Sequence, residues 1–397
     1  MPEPLMLPIS VGSGPEERLV LASSRTRLSG EFVGRVRAIV QGGIDWIQLI
    51  RLAMRHEVMP LLYRNLEQAC PDLVPENILA ALRTRCRVQA AQAHRRAEEL
   101  LRILTVTGQH GITAVPYKGP VLAERLYGDL ALREFGDLDI MILEPDVPQV
   151  QALLRGLGYE FACLRDEGEL ARYIPANREL QFHLPSTGMR LELHWRFAMR
   201  SACVQQDPER FLQRLEKVSF FGSQVLGLPL ESYFLVLSLH ATKHKWRQLK
   251  LLVDIAEILG RDDVDWGRVL REAKDLNIRR ILAVGVLLAQ DALGAPVPAE
   301  LSRGLKIDGA SGRLAAEVRD NLFKEPDQHW HEQADFPFQV RVRERFLDRL
   351  SMLYRKLPSI LTPDQRDKRF LPMPQFLSPI YYLVKPVRWT WQRISDR

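Results

Sequence analysis

The chain has 397 residues, 46% hydrophobic and 26% charged, a balance that suits two or three folded domains, or one elaborated domain, and excludes a disordered chain. Its four cysteines, Cys70, Cys86, Cys163 and Cys203, fall at no metal-ligand spacing and read as scattered thiols, which argues against a disulfide framework. No basic stretch followed by an apolar run opens the chain, and apolar runs such as Ile281–Ala289 are too short to span a bilayer, so the expected location is the cytoplasm.

The net charge of +6 is unevenly spread, with 13 Lys/Arg against 5 Asp/Glu from Arg341 to Arg397. Such a segment reads first as a solvated helix face with a basic tail, and second as a contact for an anionic partner. In that tail Phe376, Tyr381, Tyr382 and Trp389 are interleaved with Lys385, Arg388 and Arg393. The mixture suits packing on the protein body, or a peripheral membrane contact.

In chain order, residues 1–28 hold Pro, Gly and Ser with little periodicity and are expected to be loosely ordered. Residues 29–108 form a helical region: Trp46, Leu49, Ile50 and Ala53 recur at helical spacing, and so do Leu61, Leu62 and Leu66. From 109 to 228 the pattern is mixed. Ile112–Tyr117 predicts a short strand that ends at Lys118-Gly119-Pro120, and Pro120 suits the first turn of a helix running to Tyr127. Asp137–Leu143 alternates and predicts a strand, followed by a helix opened by Glu144-Pro145-Asp146 and ending near Gly156 or Gly158, and a strand at Tyr159–Cys163. Glu179–Leu184 and Met189–Phe197 alternate on either side of Pro185–Gly188, a hairpin signal. Residues 229–355 are helical again, and 356–397 form the basic aromatic segment.

The chemistry concentrates in Asp137-Leu138-Asp139. Alternation along a strand puts Asp137 and Asp139 on one face, with Leu138, Ile140 and Ile142 on the core face. Two acids on one face repel unless a cation lies between them, and a hard cation such as Mg2+ takes carboxylate oxygens while keeping positions for water and phosphate. Glu192 and His194 share a face of the second hairpin strand, so Glu192 supplies a third acid if the two strands are neighbours. Three acids can hold two metal ions about 3.5–4 Å apart, the arrangement used for in-line displacement at phosphorus. Gly119, at a strand-to-helix turn, lets backbone approach a phosphate, and Lys118 and Arg133 offer cationic contacts to it.

At these residues the sequence resembles the polymerase β-type nucleotidyltransferase superfamily and, more narrowly, a bacterial family of uncharacterised nucleotidyltransferases. The resemblance runs through Tyr117-Lys118-Gly119-Pro120, Leu126-Tyr127-Gly128-Asp129, Arg133 with Asp137 and Asp139, Glu192-Leu193-His194-Trp195, and His240 with Lys243, His244, Trp246 and Asp254. It covers roughly residues 40–385. It implies an α+β fold, with a small mixed sheet and helices forming a polymerase β-like core between N- and C-terminal helical regions. It implies Asp137, Asp139 and Glu192 as metal ligands and catalytic residues, with Lys118, Gly119, Arg133, His240, Lys243 and His244 toward the nucleotide. The expected cofactor is Mg2+, two ions, with Mn2+ as an alternative. The expected substrates are an NTP, with ATP among the candidates, and a small-molecule, sugar or peptide acceptor; a nucleic acid is not the expected acceptor. Pro120 departs from the superfamily, which commonly places Gly or Ser after the loop glycine, so a hydroxyl contact to phosphate is lost. The alternative reading is a catalytically inactive accessory protein that binds a nucleotide or a partner.

Three histidine groups remain. His240 and His244 lie four apart on one helix face, suited to phosphate or acceptor contact or to packing between helices. A protease-type zinc site is disfavoured because Ala241 follows His240 where a Glu would be required. His194 reads as a hydrogen-bonding neighbour of the carboxylates or as a group that orients a metal-bound water or a phosphate, and His329 and His331 as members of a polar linker.

Overall fold

The alternating segments of the middle region pair into a five-stranded mixed sheet among the described residues, which are 14–161, 167–196, 211–324 and 336–361 of a computed structural model. Its strands are β1 (Val115–Pro116), β2 (Asp137–Met141), β3 (Glu160–Phe161), β4 (Glu179–Leu184) and β5 (Met189–His194), in the order β1-β2-β5-β4-β3. Only β2 and β5 run parallel; the other neighbours are antiparallel. The hairpin β4–β5 closes as expected across Pro185–Gly188, where Gly188 takes φ +71°, a left-handed conformation open to glycine at little cost. A second hairpin, β6 (Glu216–Phe220) and β7 (Ser223–Gly227), stands apart as its own two-stranded sheet.

Helices surround this sheet on both sides in sequence. The N-terminal set is α1 (Pro15–Ser23), α2 (Gly30–Gln41), α3 (Trp46–Arg55), α4 (Met59–Ala69) and α5 (Glu76–Gln109). Within the middle region lie α6 (Gly119–Leu122), continued by a π-helical turn over Ala123–Tyr127, then α7 (Val147–Gly156) and α8 (Glu167–Ala176). The C-terminal set is α9 (Leu230–Lys243), α10 (Leu249–Leu259), α11 (Trp266–Asp275), α12 (Arg279–Leu293), α13 (Ala299–Gly304), α14 (Gly309–Asn321) and α15 (Phe336–Arg341). These elements form one compact unit that ends at Glu344, and a second unit begins at Arg345 with α16 (Phe346–Leu361). The architecture is the α+β arrangement expected, a small mixed sheet between helical regions.

Two apolar cores explain how the regions cohere. The smaller joins the inner sheet face, with Leu138, Ile140, Leu180, Phe182, Leu191 and Leu193, to α5 and α7 through Ala97, Leu100, Ile103, Val150 and Leu154. The larger is shared by both flanking helical regions: Leu49, Leu61 and Leu66 belong to the same cluster as Phe234, Leu252, Ile255 and Leu282. Helix α5 takes part in both, with Leu79 and Leu82 in the larger core and Ala93 to Ile103 in the smaller. At 1.5 Å per residue this helix is about 51 Å long, long enough to brace the two bodies against each other.

One expectation is corrected at the start of the chain. Pro15–Ser23 is helical, with Leu19, Val20, Leu21 and Ala22 buried in the larger core. The surrounding Pro, Gly and Ser obscure its short apolar run, which tertiary packing stabilises. Residues 1–13, Cys163, Cys203, His329, His331 and the aromatic segment beyond 361 lie outside the described residues.

Candidate metal and nucleotide site

The parallel pairing of β2 with β5 sets the site. In its register Asp139 stands beside Glu192 and Met141 beside His194, so the polar faces of the two strands coincide. The hairpin then fixes the next neighbour. With Leu184 opposite Met189, each step back along β4 matches one forward along β5, and Gln181 meets Glu192 while Glu179 meets His194. The opposite face of all three strands is apolar and buried, so a one-residue slip would drive these acids into the core.

Asp139, Glu192 and His194 each offer one ligand atom, and these atoms lie within 4.8 Å of one another. His194 Nε2 is 3.1 Å from Asp139 Oδ1 and 3.2 Å from Glu192 Oε2. Lys118 Nζ is 2.7 Å from the same Asp139 oxygen. Gln181 Nε2 donates to Glu192 Oε1 at 3.2 Å, and the Tyr117 ring meets His194 edge-on at 5.0 Å. Burial alone would push the Asp139 carboxyl up, but Lys118 and His194 hold it well below the usual carboxylate range. The hydrogen bond from His194 likewise holds Glu192 low against burial and against repulsion from Asp139. Both are therefore ionised at neutral pH. Two carboxylate oxygens and an imidazole nitrogen in this grouping fit a divalent cation.

Asp137 is placed on the same strand face but outside that three-residue group, half-buried at the start of β2. Burial and the charge of Asp139 raise its pKa. Gly119 adopts φ +65°, and a β-carbon there would lie 3.5 Å from the Asp137 carbonyl oxygen. The turn after β1 thus passes close to the start of β2, and Lys118 reaches Asp139 from it.

Helix α9 brings further charge to this face. The His240 and His244 rings stand 4.7 Å apart. Burial, then the charges of Lys118, His244 and Lys243, keep the His240 ring well below the usual imidazole range. His244 is lowered to about 4 by burial and by Lys243. Burial and the positive charge of Arg178 lower the Lys243 ammonium, while Glu179 and Glu192 act in the opposite sense. Both imidazoles are neutral at physiological pH beside a group of lysines.

Arg133 is held by an ion pair. Its guanidinium is buried and donates from Nε and Nη2 to the two oxygens of Asp254, each at 2.8 Å. Tyr127 Oη also donates to Asp254 Oδ1, at 2.7 Å. The arginine grouped with the nucleotide contacts in the sequence is thus committed to α10. Sequence reasoning missed Glu179 and Gln181 as members of the site. The available signal was the hairpin closure, which dictates what stands opposite Glu192 and His194.

A mixed sheet that sets acidic residues on two adjacent parallel strands, framed by helices and a glycine turn, defines an α+β core of the nucleotidyltransferase kind, with a residue group that could hold a metal ion. The family described as "Uncharacterised nucleotidyltransferase" matches residues 42–294, and the chain belongs to it. No curated protein and no solved structure matches the chain. Among the described residues no helix is long and apolar enough to cross a membrane.

Proposed function

We propose that the protein transfers a nucleoside monophosphate from an NTP to an acceptor hydroxyl or phosphate, with divalent metal ions held by Asp137, Asp139 and Glu192. The observation that carries this reading is the parallel register that sets Asp139 beside Glu192 on the polar face of the sheet. Bound there, a divalent cation would offset triphosphate charge and make the acceptor oxygen a better nucleophile.

In the reaction the acceptor oxygen bonds to the α-phosphorus, the bond from that phosphorus to the β-phosphate bridging oxygen breaks, and pyrophosphate departs with the electron pair. The acceptor's proton passes to a carboxylate of the site. Lys118, Lys243, His240 and His244 form the cationic and neutral-donor side, suited to triphosphate or acceptor oxygens. The left-handed turn at Gly119 keeps that side free of a β-carbon. Catalysis of this type rests on positioning and charge neutralisation.

A second reading, a catalytically inactive accessory that binds a nucleotide or partner, draws on the contact between Lys118 and Asp139. An ammonium on that oxygen competes with a metal ion for it.

The test is incubation of the protein with each α-labelled NTP, Mg2+ or Mn2+, and candidate sugar, peptide and small-molecule acceptors. Label transfer that disappears in Asp139→Asn and Glu192→Gln supports the enzyme. Nucleotide binding without pyrophosphate release under every condition favours the accessory.

A further inference from the structure

The carboxylates of this face do not stand alone: an imidazole points between them. His194 is 2% exposed, and its Nε2 lies within 3.2 Å of both Asp139 Oδ1 and Glu192 Oε2. Its other nitrogen, Nδ1, faces Glu179 Oε2 at 3.4 Å, and both of these buried atoms lack a hydrogen bond of good geometry. Glu179 is the cross-strand neighbour of His194, and Arg178 Nη2 contacts Glu179 Oε2 at 2.7 Å. The imidazole therefore stands between Glu179 on one side and the Asp139 and Glu192 oxygens on the other. Histidines that bind metals are commonly held in this way, with one ring nitrogen on the metal and the other donating to a carboxylate that fixes tautomer and ring orientation.

We propose that His194 is itself a metal ligand through Nε2, with Glu179 as its positioning residue, and that this centre selects Mn2+ over Mg2+. The inference rests on the metal-dependent reading above. For Nε2 to present its lone pair, the ring proton must sit on Nδ1, where Glu179 Oε2 accepts it. That tautomer gives the buried Nδ1 a carboxylate acceptor, with Arg178 holding the same Glu179 oxygen from its other side. Gln181, donating to Glu192 Oε1, leaves Oε2 to the metal side in the same manner.

Selectivity follows from the donor set. Mg2+ is bound mainly by carboxylates, phosphates and water, in near-ideal octahedral geometry, and dehydrates reluctantly. An imidazole ligand suits first-row transition ions, and Mn2+ also accepts the two carboxylates. Replacing one oxygen ligand by His194 therefore weakens the site for Mg2+ relative to Mn2+.

The experiment is a Mn2+ titration of the full chain, without nucleotide, followed by electron paramagnetic resonance, with Mg2+ as competitor. Pulsed spectra are recorded on protein carrying natural-abundance or 15N-labelled histidine. The expected result is one Mn2+ coupled to a histidine nitrogen, a coupling that changes with the isotope and survives a 100-fold excess of Mg2+. In His194→Gln the coupling is lost and the preference for Mn2+ falls by about 10- to 100-fold, while in Glu179→Gln the coupling persists and affinity drops over a similar range. Mn2+ bound without nitrogen coupling, an unchanged preference in His194→Gln, or no Mn2+ binding by the unmutated protein would overturn the proposal. The isotope comparison needs no substitution, so a variant that fails to fold does not decide the outcome. Nitrogen-coupled Mn2+ in a protein that transfers no nucleotide would sink the enzymatic reading alone; transfer supported by a nitrogen-free metal would sink this inference alone.

Discussion

Arg133 and Asp254, 121 residues apart in the chain, form a buried two-point ion pair with both contacts at 2.8 Å. The pair ties the segment that leads into β2 to helix α10 of the C-terminal region. Tyr127, the last residue of the π-helical turn, adds a third donor to the same carboxylate. The path from the Gly119 turn to Asp137 is thus tethered at Tyr127 and Arg133.

Breaking that pair from one side should cost stability before it costs chemistry. Arg133→Met leaves the buried Asp254 without its cationic partner, with an expected loss of about 3–5 kcal/mol. Tyr127→Phe removes one hydrogen bond and is expected to cost about 1–3 kcal/mol. Urea unfolding checks both. An Arg133→Met protein of unchanged stability but weakened NTP binding would place Arg133 in the nucleotide site instead.

Loss of either central carboxylate should abolish transfer with little effect on folding. Asp139→Asn and Glu192→Gln each remove a ligand atom from the three-residue group. Replacing even a supporting residue of a metal site costs about 10- to 100-fold, so more than about 100-fold is expected for a ligand. Label transfer in Mn2+ or Mg2+ measures it, and activity within tenfold of the parent would contradict the assignment.

The turn at Gly119 should tolerate no side chain without strain. Its φ is +65°, and a β-carbon would meet only the Asp137 carbonyl oxygen, at the ordinary distance of 3.5 Å. The expected penalty for Gly119→Ala is therefore conformational, about 1–2 kcal/mol. Thermal unfolding of Ala and Asn variants tests this, since Asn adopts the left-handed region more readily. A larger loss for Asn than for Ala would point to crowding instead.

His56 predicts an acid-sensitive fold. It is fully buried, its Nδ1 accepts the Leu249 amide proton at 3.2 Å, and its ring packs edge-on against Phe323 at 4.9 Å. Burial, then the charge of Arg55, lowers its pKa to about 3 from 6.5. Above pH 6.5 the ring is neutral in both states and contributes no pH dependence. As pH falls from 6.5 toward 3 the unfolded chain takes up the proton and the folded chain does not, so stability is lost by up to about 1.4 kcal/mol per pH unit. Urea midpoints across this window should fall less steeply for His56→Gln than for the parent. Parallel slopes would show that the ring is charged in the fold.

The polar alternation of Asp137, Asp139, Glu192 and His194 was legible in the sequence because strand geometry depends only on neighbours two residues apart. The Gly119-Pro120 turn, the β4–β5 hairpin and the helical flanks were legible for the same local reason. Whether β2 would lie beside β5, and in which direction, was not local: parallel pairing requires a crossover, and nothing in either strand names its partner. That pairing alone brought Asp139 to Glu192 and His194 and left Asp137 outside their group. Arg133 shows the same limit, since a cationic fork near a phosphate turn and one buried against a carboxylate on a distant helix look alike in sequence. The merging of the two helical flanks around one core was hidden as well, because an amphipathic stripe specifies that a face is covered but not what covers it. Sequence thus determined which faces are polar, where the chain turns and which residues carry charge. Tertiary structure decided which of those charges meet, because contact between residues far apart in the chain depends on how whole elements pack.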